Sequence, residues 1–485
     1  MHNIPSIWFP TQLWIDGHWT EGDDTISVTN PADGKKIADV SLASKNQAII
    51  AIEGASRAFE SWGQTSPITR GAILKKIASH LLSDQERLAR LLTSEQGKPL
   101  AQARAEVAYA ASFFEWFGEE ARRLSSRIAP HPEVNREFHV LRKPLGVAGV
   151  ITPWNFPLAQ GAKKLGAALA SGCTAVWKPS EFTPLVALAM ASVFADAGVP
   201  DGVIQIIPGY GDPVGVTLSN HPSVRIVSLT GSTATGKRVM AESSSTLKRV
   251  SLELGGNAPF IILPDADLDQ VAADLLESKL LASGQVCVTA NRIFVPEEHM
   301  SSLADRLVIG LAEKQIGPGL DESCHAGPLI HKDAVDRLTR LIDQALNAGA
   351  RLITENRSFE SIPFANEGSY FPPMVLSSVT DEMDLSYSEI FGPVIALYSY
   401  SSVKEVIYRA NQTESGLAGY VYGKDIAQAN HIARRLEVGI VGINEWRPLK
   451  AEIPFGGIKE SGIGVEGGVE GIDEYLDVQT ISLPL

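Results

Sequence analysis

Between Gly146 and Glu253 the chain alternates short apolar segments with helical ones, and few folds accommodate that rhythm. "GVAGVIT", "TAVWKP", "GVIQIIPG" and "VRIVSLTG" read as strands. "LAQGAKKLGAALASG" and "PLVALAMASVFADAG" read as helices closed by Gly172 and Gly198, and "STATGKRVMAESS" as a third. Apolar strands alternating with helices predict a parallel sheet covered on both faces. Such a sheet binds ligands beyond the carboxyl ends of its strands.

At 485 residues the chain is too long for one core. Ahead of the alternating region, "QLWIDGHWTEG" reads as a strand pair. Helices follow, with Ile49, Ile52 and Phe59 on one face of the first, and Ile73, Ile77 and Leu81 on one face of the second behind Pro67. In the next, Phe113, Phe114, Trp116 and Phe117 are expected in the core. Residues 125–145 have few helical features and read as extended connecting structure. "RVSLELGGNAPFIILP" is strand-like but broken by Gly255-Gly256, and a helix with Leu268, Val271, Ala272 and Leu275 as its apolar stripe follows. After Cys287 a second alternating run begins at "NRIFV", with a helix at "KDAVDRLTRLIDQALNAGA" and a strand at "PVIALYSY", which predicts a second α/β domain.

The net charge of −14 argues against non-specific nucleic-acid binding. No apolar run approaches the ~20 residues that span a bilayer, and the N-terminus lacks the basic start and apolar stretch of a signal peptide. Three cysteines, an odd and sparse number, fit free thiols in a reducing cytoplasm. His325 and His331 fit no metal-ligand spacing, so no metal is expected.

Of the cysteines, Cys173 lies among small apolar residues and reads as packing, and Cys324 as an exposed loop thiol. Cys287, in "ASGQVCVTANR", sits in a polar, glycine-marked turn where a thiolate nucleophile is reachable, although local sequence alone leaves that open. Glu253, in "SLELGGNAP", is a general base if buried and an ordinary outward residue if not. Asn155, in "TPWNFP", is an oxyanion donor or a turn or cap asparagine. "LTGSTATGKRV" places a glycine turn before a helix N-terminus, a setting for a pyrophosphate. "GYGDPVG" is a weaker glycine pattern that also fits an ordinary turn.

Together, "TPWNFP", "WKPSEFTP", "TGSTATG", "LELGGNAP", "GQVC", "EIFGPV" and "PFGG" resemble the motifs of the aldehyde dehydrogenase superfamily over nearly the whole chain. "EQGKPLAQARAEV" and "PFGGIKESGIG" look most like its succinate-semialdehyde branch. The resemblance implies an α/β fold with a Rossmann-type cofactor domain (1–124 and 146–253), an α/β catalytic domain (254–453) and a small β oligomerisation arm (125–145 and 454–485). It implies a homodimer or homotetramer acting on a small-molecule aldehyde with no nucleic-acid or membrane partner. By the same resemblance Cys287 is the nucleophile, Glu253 the base and Asn155 the oxyanion donor. Lys178 and Glu389 match ribose contacts, Ser232 a pyrophosphate contact, and Trp154 and Phe391 the nicotinamide side. Thr152, Ser180, Gly211, Gly231 and Leu254 complete the implied dinucleotide set. Glu181 matches a glutamate that hydrogen-bonds ribose hydroxyls and repels a 2′-phosphate, which implies NAD with NADP possible. A carboxylate base at Glu253 implies release by water rather than transfer to coenzyme A.

The chain departs from its branch at the substrate anion clamp. Where two arginines and a serine are usual, alignment on the motifs places Lys163, Leu281 and Lys450. Thr289 stands where a second cysteine is common, so no redox disulfide is expected there. Lys163 and Lys450, with Arg447, form a cationic pocket for a carboxylate or sulfonate, or else the lysines are simply solvated. Trp446 and Phe455 suit an apolar entrance for an aromatic or longer aldehyde. The expected activity is therefore NAD(P)-dependent oxidation of a small anionic semialdehyde. A cysteine esterase and a non-catalytic dinucleotide-binding protein are the competing readings.

Overall fold

The computed structural model describes residues 9–354 and 366–485. The first eight residues, on which part of the signal-peptide reading falls, and residues 355–365 of the expected second α/β region lie outside them.

Five parallel strands form the first sheet in the spatial order Ile204–Ile206, Thr174–Lys178, Val147–Ile151, Val224–Thr230, Arg249–Glu253. Antiparallel strands close both edges: Leu13–Ile15 with His18–Thr20 on one side, Gly462–Ile463 on the other. Every residue of Val147–Ile151 and Thr174–Lys178 is buried, as strands covered on both faces must be. The chain winds outward from Val147–Ile151 first one way and then the other. Strand order therefore reverses between that strand and Val224–Thr230, and a crevice opens at their carboxyl ends.

The helices Pro157–Ser171 and Pro184–Ala197 cover this sheet, and each ends on a left-handed glycine, Gly172 at φ 99° and Gly198 at φ 86°. Each begins with proline and lacks a side-chain cap of its own. Distant carboxylates fill that role. Glu106 Oε1 accepts from the amides of Leu158 and Ala159, and Glu95 accepts from those of Leu185 and Val186. The helix Lys45–Trp62 buries Gln47, Ala48, Ala51, Ile52, Gly54, Ala55 and Trp62. Its inner face is thus rotated toward small residues, leaving Ile49 and Phe59 half-buried. Phe113, Phe114 and Phe117 are core as expected, while Trp116 is half-buried with its indole donating to Gly468 O at 3.0 Å.

Gly255-Gly256 is where the chain leaves one sheet for another. Pro259–Ile262 belongs to a seven-stranded sheet in the order Arg351–Leu352, Met374–Ser377, Val394–Tyr400, Arg292–Pro296, Pro259–Ile262, Ala418–Tyr422, Ile440–Ile443. All its pairings are parallel except that of the edge strand Arg351–Leu352. Residues 125–145, read as extended, supply the strands Arg127–Pro130 and Arg136–Pro144, which join Leu476–Pro484 in a three-stranded antiparallel sheet. Its Ile128 and Val478 are 66% and 68% exposed.

Candidate active site

Cys287 follows three consecutive left-handed residues, Ala282, Ser283 and Gly284, at φ 45°, 55° and 76°. Two of them carry side chains that disfavour this region, so the turn persists only because its surroundings fix it. The Ala282 amide donates to Gln102 Oε1 at 2.8 Å, and Ser283 Oγ donates to Gly327 O at 2.7 Å. Gln285 Nε2 donates to Ala282 O at 2.8 Å, while its Oε1 accepts from the Ile330 amide at 3.0 Å. From the other side, a Cβ at Gly256 would stand 2.3 Å from the Cys287 carbonyl, so only glycine permits this approach.

The thiol of Cys287 is half-buried and lines two separate cavities. Burial, with Glu389 nearby, pushes it up to about 12; Lys163 opposes that shift and Glu253 adds to it. Cys173 is fully buried and donates to Tyr475 O at 3.4 Å, a packing residue. Cys324 is half-buried rather than an exposed loop thiol, because Gly317 packs against its sulfur.

Asn155 is buried beside Cys287 in the roomier cavity. Its Nδ2 donates to Gln285 O at 3.0 Å, and its Oδ1 accepts from the Phe156 amide at 3.1 Å. An amide carries two hydrogens, so one Nδ2 hydrogen has no acceptor among the described residues. Glu253 ends its strand pointing inward: it is 1% exposed, and neither carboxylate oxygen has a hydrogen-bond partner among the described residues. Burial raises it to about 8, against the pull of Lys163 and Lys164. That is the buried alternative left open by the sequence, and it excludes the outward one.

On one side of Cys287 a continuous cleft follows the strand ends, with adjoining volumes of about 370 and 290 Å³. Trp154, Ser232, Leu254, Glu389 and Phe391 line the part beside Cys287. Thr152, Lys178, Ser180, Glu181 and Gly211 line the part farther out, and Gly231 lines both. All eleven residues expected to contact a dinucleotide thus border one cleft. Ser232 caps the helix Thr233–Ser243 by accepting from the Thr235 amide, leaving the helix N-terminus facing the cleft. Lys178 is buried, donates to Gly209 O at 2.6 Å and lies 3.6 Å from Glu181. Burial raises Glu389 to about 7 even though it accepts from the Gly256 amide at 3.2 Å. A helix N-terminus for phosphates, carboxylates for hydroxyls and paired aromatic rings (Trp154 and Phe391, centroids 5.6 Å apart) fit a dinucleotide.

On the other side lies a narrow cavity of about 60 Å³ lined by Tyr109, Phe156, Leu281, Trp446, Leu449 and Phe455 among others. Two cations border it, Lys163 and Arg447. Lys163 is 3% exposed and not solvated; its ammonium sits 3.6 Å over the Phe455 ring and 3.5 Å from Glu466 Oε2. Lys164 bonds the other oxygen of the same carboxylate, and burial, with Lys163 beside it, holds its amine well below the usual lysine range. Lys450 is exposed and does not line the cavity. The sequence reading overlooked Glu466, because nothing in "GIGVEGGVEG" marks one of its glutamates as buried.

Among the described residues no three His, Cys, Asp or Glu side chains are arranged to hold a metal, and His331 caps the helix Lys332–Asn347. No helix among them is long and apolar enough to cross a membrane.

Residues 19–481 match the model of the aldehyde dehydrogenase family. The chain is 41% identical to glutarate-semialdehyde dehydrogenase of Pseudomonas aeruginosa, covering 98% of each chain. It is also 41% identical to succinate-semialdehyde dehydrogenase [NADP(+)] of Escherichia coli, again over 98% of each. A crystal structure of betaine aldehyde dehydrogenase from Staphylococcus aureus in complex with NAD+ superposes with a TM-score of 0.95 at 34% identity, covering 98% of this chain and 94% of that one.

Proposed function

The chain belongs to the aldehyde dehydrogenase family, and from that premise we propose that it oxidises a small anionic semialdehyde to its carboxylic acid with NAD(P). One observation carries the reading: Cys287 is the common wall of a narrow cavity holding Lys163 and a cleft built for a dinucleotide.

The Cys287 thiol, half-exposed to the cleft, gives its proton to solvent and attacks the aldehyde carbon from the shared wall as the thiolate. The second Asn155 Nδ2–H, without an acceptor among the described residues, and the Cys287 amide hold the developing oxyanion. Lys178, Glu181, Ser232 and Glu389 would hold a dinucleotide here, which would supply the hydride acceptor needed to oxidise the thiohemiacetal on Cys287 to a thioester. Glu253 then takes a proton from water; the hydroxide adds to the acyl carbon, the C–S bond breaks, and the acid departs as Cys287 regains its thiolate. Residues 1–124 and 146–253 serve the cofactor, 254–453 the chemistry, and the sheet containing 125–145 and the C-terminal strand of 454–485 joins subunits through its exposed face. An esterase needs no dinucleotide cleft beside its cysteine, which favours the dehydrogenase reading.

Lys163 supplies the charge for the substrate anion, with Arg447 beside it and Phe455 shaping the wall. Lys450, exposed on the same segment, acts on approach rather than in contact. A lysine is a point charge without the arginine fork, so selection rests on charge more than on planar fit. A panel of succinate, glutarate and sulfonated semialdehydes against benzaldehyde and a cationic aldehyde tests this by NADH formation. Preference for the neutral or cationic members rejects the anionic class. In Lys163→Met the stem remains on Phe455 but the charge is gone. KM for acidic aldehydes rises ~10-fold or more, the worth of a charged hydrogen bond, while neutral ones change little. Equal change in both classes rejects the anion-binding role.

Glu181 favours NAD. A 2′-phosphate placed there meets a like charge, which costs affinity. Glu181→Gln should therefore lower KM for NADP ~10-fold with a small effect on NAD. An unchanged NADP/NAD ratio assigns coenzyme choice to another residue.

A further inference from the structure

Behind the site, and lining neither of its cavities, three side chains at intervals of four share one edge of the helix Leu100–Glu120 and the turn before it: Lys98, Gln102 and Glu106. Lys98 Nζ donates to the backbone carbonyl of Asn155 at 2.7 Å and to Glu106 Oε2 at 2.5 Å, and it lies 3.9 Å over the Phe156 ring. The Lys98–Glu106 pair is wholly buried. Glu106 Oε1 holds the amides of Leu158 and Ala159, which fixes the start of the helix that follows Asn155. Gln102 reaches the other partner. Its Oε1 accepts from Ala282, the first left-handed residue of the turn that carries Cys287, and its Nε2 donates to Leu280 O at 3.3 Å.

One edge thus holds the segment of Asn155 through its two outer residues and the turn of Cys287 through the middle one. These segments come from opposite sides of the Gly255-Gly256 crossover between the two large sheets. Between them there is one direct link from the Asn155 side chain, Nδ2 to Gln285 O. A buried ion pair adds little net stability, but removing one partner strands the other's charge in the interior, and a strained turn keeps its shape only while its contacts are complete.

We propose that Lys98, Gln102 and Glu106 are positioning residues that set the spacing of the Asn155 amide from the Cys287 sulfur, and so the rate of aldehyde attack. The inference rests on the oxyanion role given to Asn155 above. It is tested by a double-mutant cycle in the full-length enzyme, crossing Lys98→Met with Asn155→Ala. The readouts are kcat for aldehyde oxidation and NAD affinity by fluorescence titration. Lys98→Met alone should lower kcat ~30- to 100-fold, the cost of an ångström-scale misplacement, with NAD affinity unchanged. In the Asn155→Ala background the same change should cost under ~3-fold, because the group it positions is gone.

Equal losses in both backgrounds, or a loss that follows weakened NAD binding, overturn the positioning role and leave the oxyanion reading standing. An Asn155→Ala enzyme of undiminished kcat removes the oxyanion reading, and the positioning role with it. Should Lys98→Met not fold, Gln102→Ala, at a half-buried position, takes its place in the same cycle. It should lose ~10-fold in kcat alone and little over Asn155→Ala; additive losses there overturn the proposal.

Discussion

Cys287→Ala is expected to lower NADH formation by ~10⁴-fold or more while leaving dinucleotide affinity intact, since the covalent step has no other nucleophile. Cys173 is sealed in the core and Cys324 lines neither cavity at the site. Eleven other residues line the 370 Å³ cleft beside Cys287 and remain in the variant. NAD titration of the variant by intrinsic fluorescence, beside an NADH assay over the aldehyde panel, separates the two effects. Residual turnover within tenfold of the parent would falsify the covalent mechanism.

Glu253→Gln should let the first half of the reaction run and stop the second. Mixing enzyme, NAD and aldehyde should give a burst of about one NADH per subunit, as an acyl-enzyme accumulates. Steady turnover should then fall ~10³-fold, the usual worth of a general base. In the parent enzyme the carboxyl stands at about 8 through burial. It is protonated and inert below that value and ionised above it, so steady turnover rises with pH through about 8. The variant should lose that limb. A burst of normal size followed by turnover close to the parent's would assign water activation elsewhere.

The fold of the cofactor half was legible in the sequence because its signals are local. Apolar strands and helix-ending glycines need no distant partner to be read; the eleven expected cleft residues, which line one groove, were implied by the motif resemblance and not by local signals. The roles of Glu253 and Lys163 were not decided locally, since both turn on burial by remote segments. Glu253 sits under residues of the first sheet's far edge, where Leu252 and Glu253 pair with Ile463 and Gly462. Lys163, expected in a cationic pocket or in solvent, is enclosed by Phe455 and Glu466, about 300 residues away. Nothing in the sequence marks Lys98 and Glu106, and only the fold reveals that Lys98 meets the carbonyl of Asn155 and Glu106 the amides of Leu158 and Ala159.

Among their lining residues, the narrow cavity and the part of the cleft beside it have only Cys287 in common. Mutations can therefore remodel one chamber while the other keeps its shape. A lineage carrying this architecture is free to change which aldehyde it consumes without renegotiating its coenzyme.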